Sequence, residues 1–266
     1  MSVRNLTVRR GHVLALDDAS LETPAGRITA VVGGDGAGKT TLLETMVGLA
    51  LPESGSVDAV PREQIGYMPS GAGSWADLTV DENVTFIGGS YGLSGQRLQQ
   101  RADEVLGRAG LSEARDRLAG QLSGGMRQKL GFCLAILHSP RMLVLDEPST
   151  GVDPVSRVEL WRLISEAAAG GTAVVLSSTY MDEAERAGWV LLLERGRQLL
   201  AGTADDLVAS CPGQVTLTAE PAHPALAWRS GEMYRQWWPH GAPPDSPPAD
   251  LTLEDVSIVA ALRGTS

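Results

Sequence analysis

The chain has 266 residues, a formal net charge of −10 and a hydrophobic share of 43%. That length allows one large α/β domain with a small appendage, and the apolar share allows a sizeable core. The acidic balance argues against non-specific nucleic-acid binding, which needs a basic footprint, so no nucleic-acid partner is expected. Cys133 and Cys211 have no neighbour at metal or redox spacing and read as reduced thiols. The N-terminus carries no apolar stretch of signal-peptide length, and no run approaches the roughly 18 apolar residues of a membrane span. Any membrane role is expected to go through a partner.

In chain order, Ser2–Val8 and Val13–Leu16 read as strands on either side of the turn Arg9–His12, and Thr23–Gly26 is a second turn. Arg27–Val32 reads as a buried strand running into Gly33–Thr41, GGDGAGKTT, and a helix follows over Thr40–Leu49. The spacing is G-x-x-x-x-G-K-[ST], filled by Gly33, Gly38, Lys39 and Thr40. A glycine-rich loop between strand and helix makes a phosphate cradle. Backbone N–H groups from Gly33, Gly34, Asp35, Gly36, Ala37 and Gly38 turn inward, and the helix start adds its positive dipole end. Lys39 is expected to reach the outer phosphates and the Thr40 hydroxyl to hold Mg²⁺, with Thr41 completing the loop. The competing reading is an ordinary glycine-rich turn. It loses because every fixed position and both flanks are right, so a nucleoside triphosphate site is expected.

Pro52–Gly55 breaks the chain, and Gln64–Met68 reads as a strand. From Ser70 to about Leu118 the pattern is mainly helical, with helices over Val80–Ile87 and Gly95–Ala109. Leu122–Met126 opens a strong helix that continues to His138 and stops at Pro140. Met142–Leu145 is a short buried strand leading into Asp146 and Glu147. Pro154–Ala169 is a helix with Asp153 as its cap. Strands at Ala173–Ser177 and Trp189–Leu193 bracket a short helix, Tyr180–Ala187. This alternation predicts an α/β fold with a largely parallel sheet covered on both faces. Past Gly202 the texture changes to a helix over Ala204–Ser210, then weakly patterned strands at Gln214–Ala219, Ala225–Trp228 and Met233–Trp238. Arg229–Glu232 suits a hairpin turn, Gly241–Pro248 a linker and Leu251–Leu262 a terminal helix. Residues 203–266 are expected to form an appendage, with Trp237 and Trp238 in its core.

Two later stretches carry chemistry. Asp146, at a strand end, suits a Mg²⁺ contact, and Glu147 suits polarising an attacking water. Ser123, Gly124 and Gly125, within LSGGM, sit at a helix start that forms a second anion site. Taken alone, that stretch is only a Ser-capped helix. Together with Gly33–Thr41, LVLDEP at 143–148 and Gly151–Pro154, it resembles the ATP-binding subunit of an ABC transporter over residues 2–202. The stretches 35–41, 118–131 and 152–161 are similar to the first ATPase half of tandem-ATPase drug exporters, and 251–262 to the terminal helix of exporter-type members. The resemblance implies a P-loop NTPase of the ABC ATPase type: a mostly parallel sheet with an antiparallel β subdomain and a helical subdomain at about 70–118. The ABC domain would occupy 1–202. The ligands implied are ATP and Mg²⁺, and the implied chemistry is ATP hydrolysis. The implied partners are an integral membrane permease and a second ABC ATPase domain bound head to tail, whose ATP site Ser123–Gly125 would complete. The chain would then work at the cytoplasmic face of the cell membrane.

Four positions depart from the family pattern. Ser70 stands where a Gln touches Mg²⁺ and water, and Thr179 where a His contacts the γ-phosphate. Arg10, with His12 nearby, stands where an aromatic stacks on adenine, and Asp35 where Asn is common. The first two losses predict a pocket that holds ATP and hydrolyses it slowly. An asymmetric pair with a competent ATPase domain is therefore favoured over self-pairing. The alternative is a non-hydrolysing nucleotide-binding regulatory or assembly module, against which the intact Glu147 speaks.

Overall fold

The computed structural model describes residues 1–58 and 60–264; Thr265 and Ser266, the end of the expected appendage, lie outside the described residues, as does Ala59. The chain begins with β1 (Ser2–Arg10), β2 (Val13–Glu22) and β3 (Ile28–Val32), then α1 (Lys39–Met46), β4 (Ser54–Asp58) and β5 (Ile65–Met68). The helices α2 (Val80–Ser90), α3 (Gly95–Ala109) and α4 (Gly124–Ile136) follow. Next come β6 (Met142–Leu145), α5 (Pro154–Ala169), β7 (Ala173–Ser178), α6 (Met181–Ala184), β8 (Trp189–Glu194) and β9 (Arg197–Gly202). The chain closes with α7 (Ala204–Ala209), β10 (Gln214–Thr218), β11 (Ala227–Ser230), β12 (Met233–Trp238) and α8 (Leu253–Gly264).

The main sheet has nine strands in the order β4-β1-β2-β9-β8-β3-β7-β6-β5. Strands β8, β3, β7, β6 and β5 run parallel. Every residue of β6 and of β7 is buried, the continuous apolar pattern of a sheet covered on both faces. Alternate residues feed the two cores. Val32, Leu143, Leu145 and Leu176 pack under the helices α2–α5, while Val31, Val144 and Val175 pack against Leu42 and Leu43 of α1. The antiparallel strands β1, β2 and β4 are continuous with this sheet, because β2 meets β9 at Asp17 and Arg197, whose side chains pair at 2.9 Å.

Two strands escaped the sequence reading. β4 is an edge strand, SGSVD, almost wholly exposed, so it shows no apolar alternation. β9 returns antiparallel from β8 through the tight turn at Arg195 and Gly196. Helix α2 opens on a capping box in which the Thr79 hydroxyl accepts from Glu82 N–H and the Glu82 carboxylate accepts from Thr79 N–H. Helices α3 and α5 match their expected bounds, and the Asp153 carboxylate caps α5 by accepting from Val155 and Ser156 N–H. Those two N–H donors hold its carboxyl below the usual range.

The last segment forms its own antiparallel sheet, β10-β12-β11. The hairpin turn falls between Ser230 and Met233. Trp237 is buried with Val215 and Val259, and its indole donates to the Pro212 carbonyl at 2.8 Å. Trp238 is half-buried and donates to Thr216 Oγ1 at 2.9 Å. Helix α8 ties this small sheet to the main body, since Leu253 and Val256 belong to the large core while Val259 belongs to the small one. Trp237→Ala is expected to cost about 3–5 kcal/mol of local stability. Hydrogen exchange should rise across 214–238 while nucleotide binding at the 33–41 loop is retained.

Candidate functional site

The parallel strands end on one edge. Met68 aligns with Leu145, Leu145 with Leu176 and Val32 with Ser178. Ser70, Asp146, Glu147, Thr179 and the 33–41 loop therefore all leave from the C-terminal edge, where open parallel sheets take ligands. A cavity of about 470 Å³ opens there, lined by residues 35–41, Glu147, Arg195 and Val13–Ala15. A larger cavity, about 560 Å³, lies elsewhere among residues such as Leu21, Arg27, Trp189 and Gln198, and holds none of the motif residues.

The loop is clamped from two sides. Gly38 sits at φ 105°, and a Cβ there would lie 2.5 Å from the Ala15 carbonyl oxygen, so the crossing of β2 admits only glycine. From the other side Gly196 N–H donates to the Ala37 carbonyl at 3.0 Å. Lys39 opens α1 and is only 5% exposed. Its ammonium donates to the carbonyls of Gly33 (2.8 Å) and Gly34 (3.2 Å) and pairs with Glu147 Oε1 at 3.2 Å. Gly33 and Gly34 thus lie behind the cavity as the seat of Lys39.

Glu147 is held from several directions. Its second oxygen accepts from Thr150 Oγ1 at 3.2 Å, and its N–H donates to Ser177 Oγ at 2.8 Å. Its φ of 49° is the left-handed region that non-glycine residues seldom enter. The same Ser177 hydroxyl donates to Asp146 Oδ1 at 2.6 Å. Ser177 therefore sets both acidic residues, a role the sequence did not single out, because a serine at the end of a buried strand carries no motif.

The local field is negative. Tyr67 Oη is pushed up to about 12, first by burial and then by the carboxylates of Asp146 and Glu44. Asp35 adds a further carboxylate at the rim. A polyphosphate entering here needs cations beyond Lys39 and Arg195. The oxygen donors Asp146 and Thr40 suit a hard ion such as Mg²⁺. No group of three or more His, Cys, Asp or Glu that could hold a metal exists among the described residues. Such an ion fits only when phosphate and water supply most of its ligands, which is how Mg²⁺ is commonly held.

Other expected residues lie off the cavity wall. Arg10 pairs with Glu44 of α1, His12 is exposed, and neither lines the cavity. Val13 and Leu14, both exposed, line the cavity with Ala15 and Arg195, and the four were missed because they come from strand and turn segments far from the glycine-rich loop. Ser70 and Thr179 are exposed at the strand ends, outside the lining. Ser123 caps α4, its hydroxyl accepting from Met126 N–H at 3.2 Å, and Ser123 and Gly124 face solvent. A Cβ on Gly125 would lie 2.5 Å from Ser156, so the start of α4 lies against the start of α5 rather than in the cavity.

Residues 16–150, which include the phosphate loop, LSGGM and Asp146–Glu147, match the family model described as ABC transporter. This chain belongs to the ABC transporter ATP-binding family. The ABC chain is 40% identical over 207 residues to the probable multidrug ABC transporter ATP-binding protein YbhF of Escherichia coli (strain K12), covering 74% of this chain and 36% of that protein. It thus spans about a third of that relative. It is 35% identical to the daunorubicin resistance ATP-binding protein DrrA3 of Streptomyces coeruleorubidus, covering 77% of this chain and 68% of that one. A solved structure of the ATP-binding subunit of an ABC transporter, 28% identical, superposes with a TM-score of 0.71 and covers 78% of this ABC chain and 91% of that chain. The fold expected from the motifs, an α/β ABC ATPase with a largely parallel sheet, is the fold observed.

Proposed function

We propose that this chain is the ATP-binding subunit of a bacterial exporter, which it powers by binding and hydrolysing ATP while docked on a permease at the cytoplasmic face of the membrane. The observation that carries this reading is the Lys39–Glu147 pair at the mouth of the 35–41 loop. The export direction draws on relatives named for multidrug transport and daunorubicin resistance.

The loop amides from Gly36 to Gly38 surround the phosphates, and Lys39 exchanges Glu147 for an outer phosphate oxygen. That exchange frees Glu147 Oε1 to accept a proton from the attacking water, while Thr150 keeps the carboxylate aimed. Thr40 and Asp146 hold Mg²⁺, which when bound neutralises phosphate charge. Val13 and Leu14 give the base an apolar face. The start of α4 at Ser123–Gly125, where Ser123 and Gly124 face solvent, completes the ATP site of a second ABC domain paired head to tail.

The chain's own site is slow in this reading. Neither Ser70 nor Thr179 has a side chain long enough to replace Gln or His, and Thr179 carries no positive charge. A competent, different ABC domain is accordingly the favoured partner. Thr179→His is expected to raise steady-state ATPase activity by about tenfold or more with ATP affinity nearly unchanged. An unchanged rate would remove the argument for a degenerate site.

A further inference from the structure

Among the described residues outside the cavity, one charged side chain is wholly enclosed. Glu183, on α6, is 0% exposed. Its Oε1 accepts from Ser149 Oγ at 2.5 Å and meets Arg157 Nε at 2.9 Å, and its Oε2 accepts from Ser178 Oγ at 2.7 Å. A carboxylate taken out of water needs such partners, and here they come from three different segments. Ser149 lies in the loop that follows Glu147. Ser178 begins the loop that carries Thr179. Arg157 stands on α5, and its guanidinium also lies 4.9 Å from the Tyr180 ring and pairs with Asp182. Ser178 Oγ in turn accepts from Tyr180 N–H at 3.0 Å, which closes the Thr179 loop on itself. Helix α6 is only four residues long, too short to stand by its own hydrogen bonds.

The result is a ring. Glu147 leads through the chain to Ser149, then through Glu183 to Ser178, and through Ser177 back to Asp146 and Glu147. We propose that Glu183 is a positioning residue that locks the 148–153 loop and the Thr179 loop into one unit, so that Glu147 and the Thr179 position move together when a nucleotide binds. This rests on the ATPase reading above, but its structural half does not.

The experiment uses the full chain as parent, Glu183→Gln and Ser149→Ala. A fluorescent ATP analogue reports binding, single-turnover assays report hydrolysis, and hydrogen exchange is followed with and without ATP. Glu183→Gln is expected to keep analogue affinity within about threefold and to slow hydrolysis at least about tenfold. Exchange should rise together in 147–153 and 177–182. Ser149→Ala should give the same pattern at smaller size, and the double variant should be no slower than Glu183→Gln alone. Ser149→Ala removes only a hydroxyl, so it decides the matter if Glu183→Gln fails to fold. Exchange rising only around α6, with 147–153 and hydrolysis unchanged, would overturn the inference. A parent that binds no ATP would sink the ATPase reading instead, and the nucleotide-free exchange comparison would still decide the coupling.

Discussion

Lys39→Ala is expected to weaken ATP binding by about a hundredfold, because one or two charge-assisted hydrogen bonds of about 1.5–3 kcal/mol each are lost and each tenfold in affinity is about 1.4 kcal/mol. The loss has a second cause. Lys39 faces Glu147 at 3.2 Å, and without the ammonium that carboxylate stands unbalanced at the entry of a polyphosphate. Isothermal titration with ATP and Mg²⁺ checks the effect. A shift smaller than about fivefold would mean that the loop amides alone hold the phosphates.

Glu147→Gln is expected to separate binding from chemistry. Hydrolysis should fall to background, since a positioned general base contributes about 10²–10⁴-fold. Affinity for ATP should hold or tighten, because Lys39 loses the carboxylate that competes with phosphate for its ammonium. The amide can still accept from Thr150, so the local geometry survives the change. Single-turnover hydrolysis beside equilibrium binding reads both halves. A variant that retains the parent rate would move the water-polarising role to another group.

Much of this fold was legible because the parallel strands are short, mostly apolar and followed by turns with strong chemistry. Met142–Leu145 runs into Asp146 and Glu147, and Pro154–Ala169 carries its own cap, so both ends of each element are marked. β4 left no trace because an exposed polar edge strand looks like a loop. The lining beside the first turn was hidden for a related reason. The sequence offered Arg10 and His12 near the first turn, but Arg10 is drawn to Glu44, and the strand that continues past the turn brings Val13 to the cavity. Arg195 reaches the site from a hairpin more than 150 residues after the phosphate loop, a distance no local pattern spans. Ser177, Ser178 and Glu183 read as strand end and helix face, and only the three-dimensional arrangement joins them to Glu147.

The reading of a nucleotide site that holds ATP and turns it over slowly is tested most directly by measuring ATP binding and steady-state hydrolysis on the same purified chain, with Glu147→Gln as the background. The expected result is clear ATP binding with a slow turnover, about tenfold or more below that of Thr179→His, which Glu147→Gln still lowers to background. Brisk turnover that Glu147→Gln abolishes would contradict it, because Ser70 and Thr179 would then suffice for catalysis and a plain homodimeric motor would replace the asymmetric pair.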